Sequence, residues 1–499
     1  MDNLFILLQK DKKIKRQFEI LKCLSNKQIV SVDEMSKSLQ IHRATLIRDI
    51  ENLRLLLPEE VVIKQDFRKG YIIEYPANNT IDYYISLLAK KTLVYEIING
   101  IFIENNLDII DLASKLYTSE SVLLRLITHM NKTLKTYNIS ISKQRLKFVG
   151  NEADIRTFLF TFFRTFMDYY STETIDDLYK RAYNSTKDGL AYTSLHQNNA
   201  KIYLYTVISR IRIIHNHFMN VEKKVLKYIT SFDSYDVYRT NYFHNLKQLR
   251  LDFSLDDLFV PEEEVVWAFL VSLDCVVYVE DNDIAANQNE LYRKDFEDEK
   301  CIEVSSYIYS AMLNSFNLKS INANEFKLIK AYLINSSLLS KVSFNFLKVS
   351  IPLKQYIKDN YKDIYEKWYS ILHEAPVDIF AYKYIDDVAL TLTMLSIPIL
   401  KNQSKGSINI LFSFEAETGY SAILVDATQQ LLVSNVNALY AFSTALTAKF
   451  IADNNIDIVV TNYKHRNEDK LNVEILQLSY LPTLNEWSIL KNKILSLLR

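Results

Sequence analysis

Apolar residues recur at helical spacing over residues 32–57, and the pattern returns 77 positions later. Val32, Met35, Leu39, Leu46, Ile50, Leu53 and Leu57 line up with Ile109, Leu112, Leu116, Leu123, Ile127, Met130 and Leu134. In each copy a short polar turn interrupts the pattern, and the helix after it carries a charged face. Two short helices joined by a tight turn, the second exposed and basic, is the arrangement a major-groove reader needs.

The flanking positions extend each copy. Lys12 to Leu24 reads as an amphipathic helix with Ile14, Phe18, Leu21 and Cys23 or Leu24 inward. Ser31 and Glu34 form an S-x-x-E capping box ahead of Val32–Leu39. A turn over Gln40, Ile41 and His42 leads to a helix from Arg43 to Leu57, stopped by Pro58. Val61–Ile63 and Tyr71–Ile73 then predict a β-hairpin with a basic tip over Lys64 to Gly70, which completes a winged helix. After a seam at Pro76 to Thr80, one long helix is predicted over Ile81 to Ile103. Leu107–Tyr117 and Glu120–Tyr137 supply the second helix-turn-helix; Ile139, Ile141, Leu146, Phe148 and Val149 supply its wing, closed by Gly150. A very aromatic helix over Glu152 to Tyr170 is expected to pack between head and body.

Residues 171–400 read as helical throughout, with a fainter repeat. Glu262–Glu264 precede the apolar helix Val265–Val277, and Asp386-Asp387 precede Val388–Leu395, 123 residues on. Asp281–Glu299 reads as the linker between two bundles. Past residues 401–406 the period changes. Ile408–Phe414, Ile456–Val460 and Val473–Leu478 suit buried parallel strands, with Leu431–Val436 as a further strand. Helices over Tyr420–Gln430, Ala438–Ile451 and Glu486–Leu498 alternate with them, which implies a small α/β domain. The expected fold is mainly α and multidomain: winged helix-turn-helix units at 1–76 and 77–165, helical bundles at 166–285 and 286–402, and an α/β domain with a parallel sheet at 403–499.

Charge sharpens this picture. Residues 1–150 hold 23 Lys+Arg against 17 Asp+Glu, while the remainder holds 36 against 43. A nucleic-acid-binding head on an acidic body shows that asymmetry. Only 6 glycines and 7 prolines occur in 499 residues, as a mostly helical chain requires. No G-x-G-x-x-G and no G-x-x-x-x-G-K-[ST] occurs, which argues against P-loop and Rossmann nucleotide enzymes. Cys23, Cys275 and Cys301 are too few and too scattered for a disulfide framework or a zinc site. The apolar patch in MDNLFILLQKDKK is too short for a signal peptide, and Val265 to Val279 contains Asp274 and falls short of a membrane span. A cytoplasmic protein with no membrane partner, no metal, no cofactor and no catalytic residues is expected.

Candidate DNA contacts follow from position. His42, Arg43, Thr45 and Arg48 lie opposite Leu46, Ile50 and Leu53, with Lys64, Arg68 and Lys69 on the wing. The second copy offers Ser119, Ser121, Arg125 and Lys132, with Lys143, Arg145 and Lys147 on its wing. A lone charged helix face is ordinarily just solvated; membership of a helix-turn-helix with a basic wing favours DNA contact. His215 and His217 diverge by about 200° on a helix, so they read as ordinary histidines rather than metal ligands. His373 reads as a surface residue. The acidic cluster at Glu262 reads as a helix start complementing the macrodipole. The 33 tyrosines and 26 phenylalanines read as core and subunit interface.

The order of parts, with SVDEMSKSLQIHRATLIRDIENL, IIDLASKLYTSESVLLRLITHM, KFVGNEADIRTFL and TVISRI, resembles the Mga/AtxA family of virulence regulators over nearly the whole chain. The resemblance implies a DNA-binding transcriptional regulator, usually an activator, of virulence or sugar-linked genes. It implies helical repeats similar to phosphotransferase-system (PTS) regulation domains, tuned by histidine phosphorylation, and a terminal domain similar to a sugar-phosphotransferase IIB component. Its implied partners are double-stranded promoter DNA, a second copy of the chain in a homodimer or higher oligomer, and the phosphocarrier HPr. The chain departs from the family at three places. His196 lies two positions before the aligned acceptor position, Asn198; Leu395 stands where the second repeat is expected to hold histidine; and SFEAETGYS lacks the IIB cysteine. His196, then His373, are therefore the phosphorylation candidates. The alternative is a PTS interaction or scaffold protein without sequence-specific DNA binding. An RNA-binding antiterminator would open with a small β-rich domain instead.

Overall fold

In the first repeat, every buried position of the longer helix falls on one side of it. α1 (Asn3–Leu8), α2 (Lys12–Ser25), α3 (Val32–Leu39) and α4 (Arg43–Leu56) precede a hairpin of β1 (Val62–Asp66) and β2 (Gly70–Glu74). Leu46, Ile50 and Leu53 of α4 are fully buried against Phe18, Leu21, Leu24 and Met35. The computed structural model describes residues 3–25, 29–66, 70–103, 108–166, 198–240, 242, 260–276, 297–375, 383–403, 408–415, 419–429, 436–442, 446–463, 471 and 473–497. The chain forms two compact units, Met1–Ser396 and Ile397–Arg499.

The helix expected over 81–103 is in fact two, α5 (Ile81–Lys90) and α6 (Leu93–Ile103). Thr92 makes the break. Its hydroxyl donates to the Ala89 carbonyl at 2.8 Å and accepts the Tyr95 amide at 3.5 Å, closing one helix and opening the next. α7 (Ile109–Lys115) and α8 (Glu120–Leu134) form the second helix-turn-helix, and β3 (Ser140–Ser142) with β4 (Lys147–Val149) its wing. α9 (Glu152–Arg164) is buried nearly all round, as a helix enclosed by its neighbours must be. Phe158 meets Tyr137 edge-on, and Phe160 stacks on Tyr205 of α10 (Asn199–Ile214) with centroids 4.1 Å apart. One hydrophobic core therefore runs from Leu4 through both winged units to Trp267 and Cys275.

The body continues with α11 (Lys223–Thr230), α12 (Glu262–Asp274), α13 (Glu299–Ser315), α14 (Ala323–Ser340), α15 (Ile351–Asn360), α16 (Lys362–Glu374) and α17 (Ile385–Gln403). Residues 233–240 are also helical. A second core joins Tyr235, Val266, Phe269 and Leu270 to Ala331, Ile334 and Leu338, so α12 and α14 share an interior across the expected linker.

Glu262 and Glu263 open α12 as a macrodipole would favour, but Glu264 corrects the reading of this cluster as a simple helix start. It is buried, and its two oxygens accept Arg156 Nη1 at 2.7 Å and Nη2 at 2.8 Å, with the Met219 amide at 2.7 Å. Arg156 also reaches Glu152, and Glu152 binds Arg212 through both of its oxygens. The second acidic pair is likewise engaged: Asp387 accepts the Val349 amide at 2.7 Å and Lys354 at 2.8 Å, and Asp386 holds Lys358.

In the terminal unit β5 (Ile408–Phe414), α18 (Tyr420–Gln429), β6 (Val436–Phe442), α19 (Ala448–Asp453), β7 (Ile458–Thr461), β8 (Glu474–Gln477) and α20 (Leu484–Leu497) follow in order. The four strands are parallel, in the order β6-β5-β7-β8. The helix expected over Ala438–Ile451 is overturned. Its first part is strand β6, and among the described residues helix begins at Ala448 and runs to Asp453. β6 pairs with β5 from Ile408↔Val436 to Phe414↔Phe442, and Tyr440 stacks on Phe412, which outweighs the helix preference of Ala438 and Ala441. The strand expected at 431–436 meets β6 only at Val436, and residues 430–435 lie outside the described residues.

Candidate nucleic-acid interface

The 77-residue repeat extends into the turns. In the first copy Gln40 takes the left-handed conformation, φ 53°, while its amide donates to the Lys37 carbonyl and that of Ile41 to the Ser36 carbonyl at 3.1 Å. In the second copy Tyr117 has φ 49°, its amide donates to Ser114, and the Thr118 amide donates to Ala113 at 3.0 Å. Both turns thus close their first helix with the same pair of bonds. His42 and Ser119 stand at equivalent N-cap positions, and neither caps the helix with its side chain. The first amides of both recognition helices therefore have no side-chain cap.

The exposed face of α4 presents His42, Arg43 and Arg48, with Thr45 half-buried beside them. Arg43 makes an exposed ion pair with Asp33 at 3.4 Å. On the inner side Asp49 is fully buried and takes Arg16 Nε from α2 at 2.8 Å, which pins the recognition helix to the support helix. Ser119, which precedes α8, and Ser121, Arg125 and Lys132 within it are all exposed, and Arg125 Nε donates to the Ser121 carbonyl at 3.1 Å. Lys143, Arg145 and Lys147 are exposed on the second wing. On the first wing Lys64 pairs with Glu74 across the hairpin, and Arg68 and Lys69 lie outside the described residues.

Two wing-holding residues escape a reading of charge and periodicity. Arg54, near the end of α4, donates through Nε to the Ile63 carbonyl at 3.0 Å and lies over the Tyr71 ring. Its counterpart 77 positions on is Asn131, which donates to the Ile141 carbonyl at 2.9 Å and accepts the Ile141 amide at 2.7 Å. Each recognition helix thus grips the backbone of its own wing. The signal was the repeat itself, but a polar pair at one aligned position does not announce a backbone contact.

Gly70 fixes the first wing against Val30, whose amide and carbonyl pair with Tyr71 at 2.9 and 2.8 Å. It has φ +130°, and a Cβ there would lie 2.1 Å from the Val30 carbonyl oxygen. Gly70→Ala is therefore expected to lower stability by about 2–4 kcal/mol, from strain plus forced separation of the wing. Urea unfolding checks this; an unchanged midpoint would show that the wing is not held at this contact.

The other histidines stand apart from this face. His215 caps the end of α10 and His217 lies beyond it, so neither shares a helix as expected. Burial, then Arg212, lowers the pKa of both. His373 is exposed near the end of α16 with its ring stacked on Tyr369. His196 lies outside the described residues. Among the described residues no group of three or more His, Cys, Asp and Glu is placed to hold a metal, and no helix is long and apolar enough to cross a membrane.

These features define a protein with two tandem winged helix-turn-helix units built into a helical body. Residues 16–72 match an HTH domain family, and residues 77–163 match the Mga helix-turn-helix domain. The chain is 23% identical over 298 residues to the capsule synthesis positive regulator AcpA of Bacillus anthracis, covering 57% of this chain and 58% of AcpA. It is 29% identical over 178 residues to the capsule synthesis positive regulator AcpB of the same organism, covering 36% and 34%. A protein of Streptococcus pneumoniae serotype 4 named as a candidate trans-acting regulator is 21% identical over 474 residues, 91% of this chain and 92% of its own. The chain thus spans 58% of one capsule regulator and 34% of the other, less than two thirds of either. Taken together, the two domain matches and these relatives make the chain similar, over its winged units above all, to regulators of the Mga/AtxA family.

Proposed function

We propose that the protein is a DNA-binding transcriptional activator of virulence or sugar-linked genes, acting in the cytoplasm without enzymatic activity of its own. The observation that carries this reading is the repetition: two helix-turn-helix units 77 residues apart keep the same hydrogen-bonded turn and leave polar and basic side chains exposed on the second helix. Activation is supported by the names of the two capsule regulators. In this reading the segments 1–76 and 77–165 are the two readers, 166–285 and 286–402 the PTS-regulation-like repeats, and 403–499 the IIB-like unit. A homodimer or higher oligomer would double the contacts at a fixed half-site spacing. Phosphate transfer from HPr to His196 or to the exposed His373 would add negative charge to the repeats and shift their packing.

The test is binding of the full-length protein to duplex promoter fragments in rising salt, against unrelated duplex competitor. The expected result is a specific site held at least about 10³-fold tighter than competitor, with log affinity falling linearly with log salt and more than one chain per duplex. Equal retention of all duplexes, or none, would favour the scaffold reading.

A further inference from the structure

The first helix of each helix-turn-helix closes on a left-handed residue, and the chain makes the same turn elsewhere. Among the described residues, six other than glycine have a positive φ: Gln40, Tyr117, Asn138, Asn216, Asn317 and Asn455. One pattern holds all six. The residue's own amide donates to the carbonyl three positions back, and the next amide donates to the carbonyl five positions back. The geometry is shared, so the residue type is what differs. Four of the turns use asparagine, which tolerates left-handed backbone. Glutamine and tyrosine carry no such preference, and a bulky ring is strained there. These two stand in the turns that lead into α4 and α8.

Packing does not account for the exceptions. Tyr117 is 98% exposed, so its ring covers almost none of the protein's own surface, and Gln40 is exposed as well. What the two side chains share is a neutral hydrogen-bond donor on an arm longer than that of asparagine. They share a place too, two residues before His42 and Ser119, the N-cap positions of the recognition helices. When such a helix lies in the major groove, the helix before it crosses the phosphate backbone. The turn between them passes over the groove wall, where phosphate oxygens accept bonds from glutamine and tyrosine side chains. The paired turn bonds fix the Cα–Cβ direction, so each arm is presented with little backbone freedom left to lose on binding.

We propose that Tyr117 and Gln40 are phosphate-positioning residues, each donating a side-chain hydrogen bond to the DNA backbone beside its own recognition helix. The strain kept in these two turns is then tied to DNA contact. The inference rests on the DNA-binding reading above and adds to it the residues that set register without reading bases. Being uncharged, they displace no counterions of their own. Their loss therefore leaves the salt dependence as it is, unlike the loss of an arginine or lysine that binds phosphate.

Anisotropy titration of the full-length protein with a promoter duplex and with an unrelated duplex tests this. Tyr117→Phe keeps the ring and removes the hydroxyl; Tyr117→Asn installs the residue the chain uses in four of these turns. Each should weaken both duplexes by the same factor of about ten, the size expected for one bond to a charged oxygen. Gln40→Asn should act likewise. Discrimination between the duplexes and the salt slope should hold, and Tyr117→Asn should melt at or above the temperature of the unaltered protein, since it relieves the turn. Tyr356→Phe, at an exposed tyrosine on α15, should change nothing. Tyr117→Phe binding as tightly as the unaltered protein overturns the proposal, and so does weaker binding that comes only with a lower melting temperature. If the unaltered protein holds neither duplex, the DNA-binding reading fails and this inference with it. If it holds them and the Tyr117 variants hold them equally well, this inference alone fails.

Discussion

Arg156→Met is expected to cost about 3–5 kcal/mol of stability, because it breaks a buried ion-pair network from one side. Arg156 is fully buried, and it binds Glu264 through two nitrogens, Glu152 through a third, and the His217 carbonyl. Burial alone would lower its pKa, but Glu264 and then Glu152 more than reverse this, so the guanidinium stays charged. Among the described residues, removing it leaves Glu264, itself 1% exposed, with the Met219 amide and no paired cation. The network also joins α9 to α10 and α12, so its loss loosens the second winged unit from the body. Urea unfolding measures the cost. A second variant separates charge from packing: with Glu264→Leu added to Arg156→Met, much of the loss should return, since paired apolar replacements are often neutral or better. A single variant as stable as the unaltered protein would show that the network contributes nothing net.

The parts of this molecule legible in its sequence are those governed by local rules. Ser31 caps α3 by accepting the Glu34 amide at 3.1 Å, and α3 and α4 start where the pattern places them. The second unit follows through the repeat. Two of the parts that escaped were decided by contacts distant in sequence. Glu264 looked like one of three solvated acids because nothing nearby reveals an arginine 108 positions earlier, at Arg156. Strand β6 looked helical because its alanines carry the local preference, whereas its fate depends on the β5 edge it joins. The break at Thr92 lay within a continuous apolar pattern, and only the hydroxyl's bond to Ala89 exposes it. For the candidate interface, the outward residues of α4 and α8 were legible from periodicity alone. The wing-gripping roles of Arg54 and Asn131 were not, because a side-chain-to-backbone bond across a hairpin leaves no periodic trace.

Replacing both Arg43 and Arg48 with alanine is expected to weaken specific DNA binding by about 2–6 kcal/mol, taking ~1–3 kcal/mol for each base contact. Both lie on the exposed face of the first recognition helix. Among the described residues this removes the ion pair of Arg43 with Asp33, which is exposed at both ends, and such pairs contribute little to folding. The helix itself is held from its other side by Leu46, Ile50, Leu53 and the bond from Arg16 to Asp49, none of which the substitutions touch. A loss of affinity with an unchanged melting temperature would therefore report on contact with DNA and not on folding. The salt dependence then tells the two arginines apart. Where an arginine binds phosphate, its single substitution should lower the salt slope by ~1 and weaken all duplexes alike; where it reads a base edge, the slope should hold and discrimination between sites should fall. Unchanged affinity and slope in the double variant would take the first winged unit out of the reading role and leave recognition to Arg125, Lys132 and the second wing.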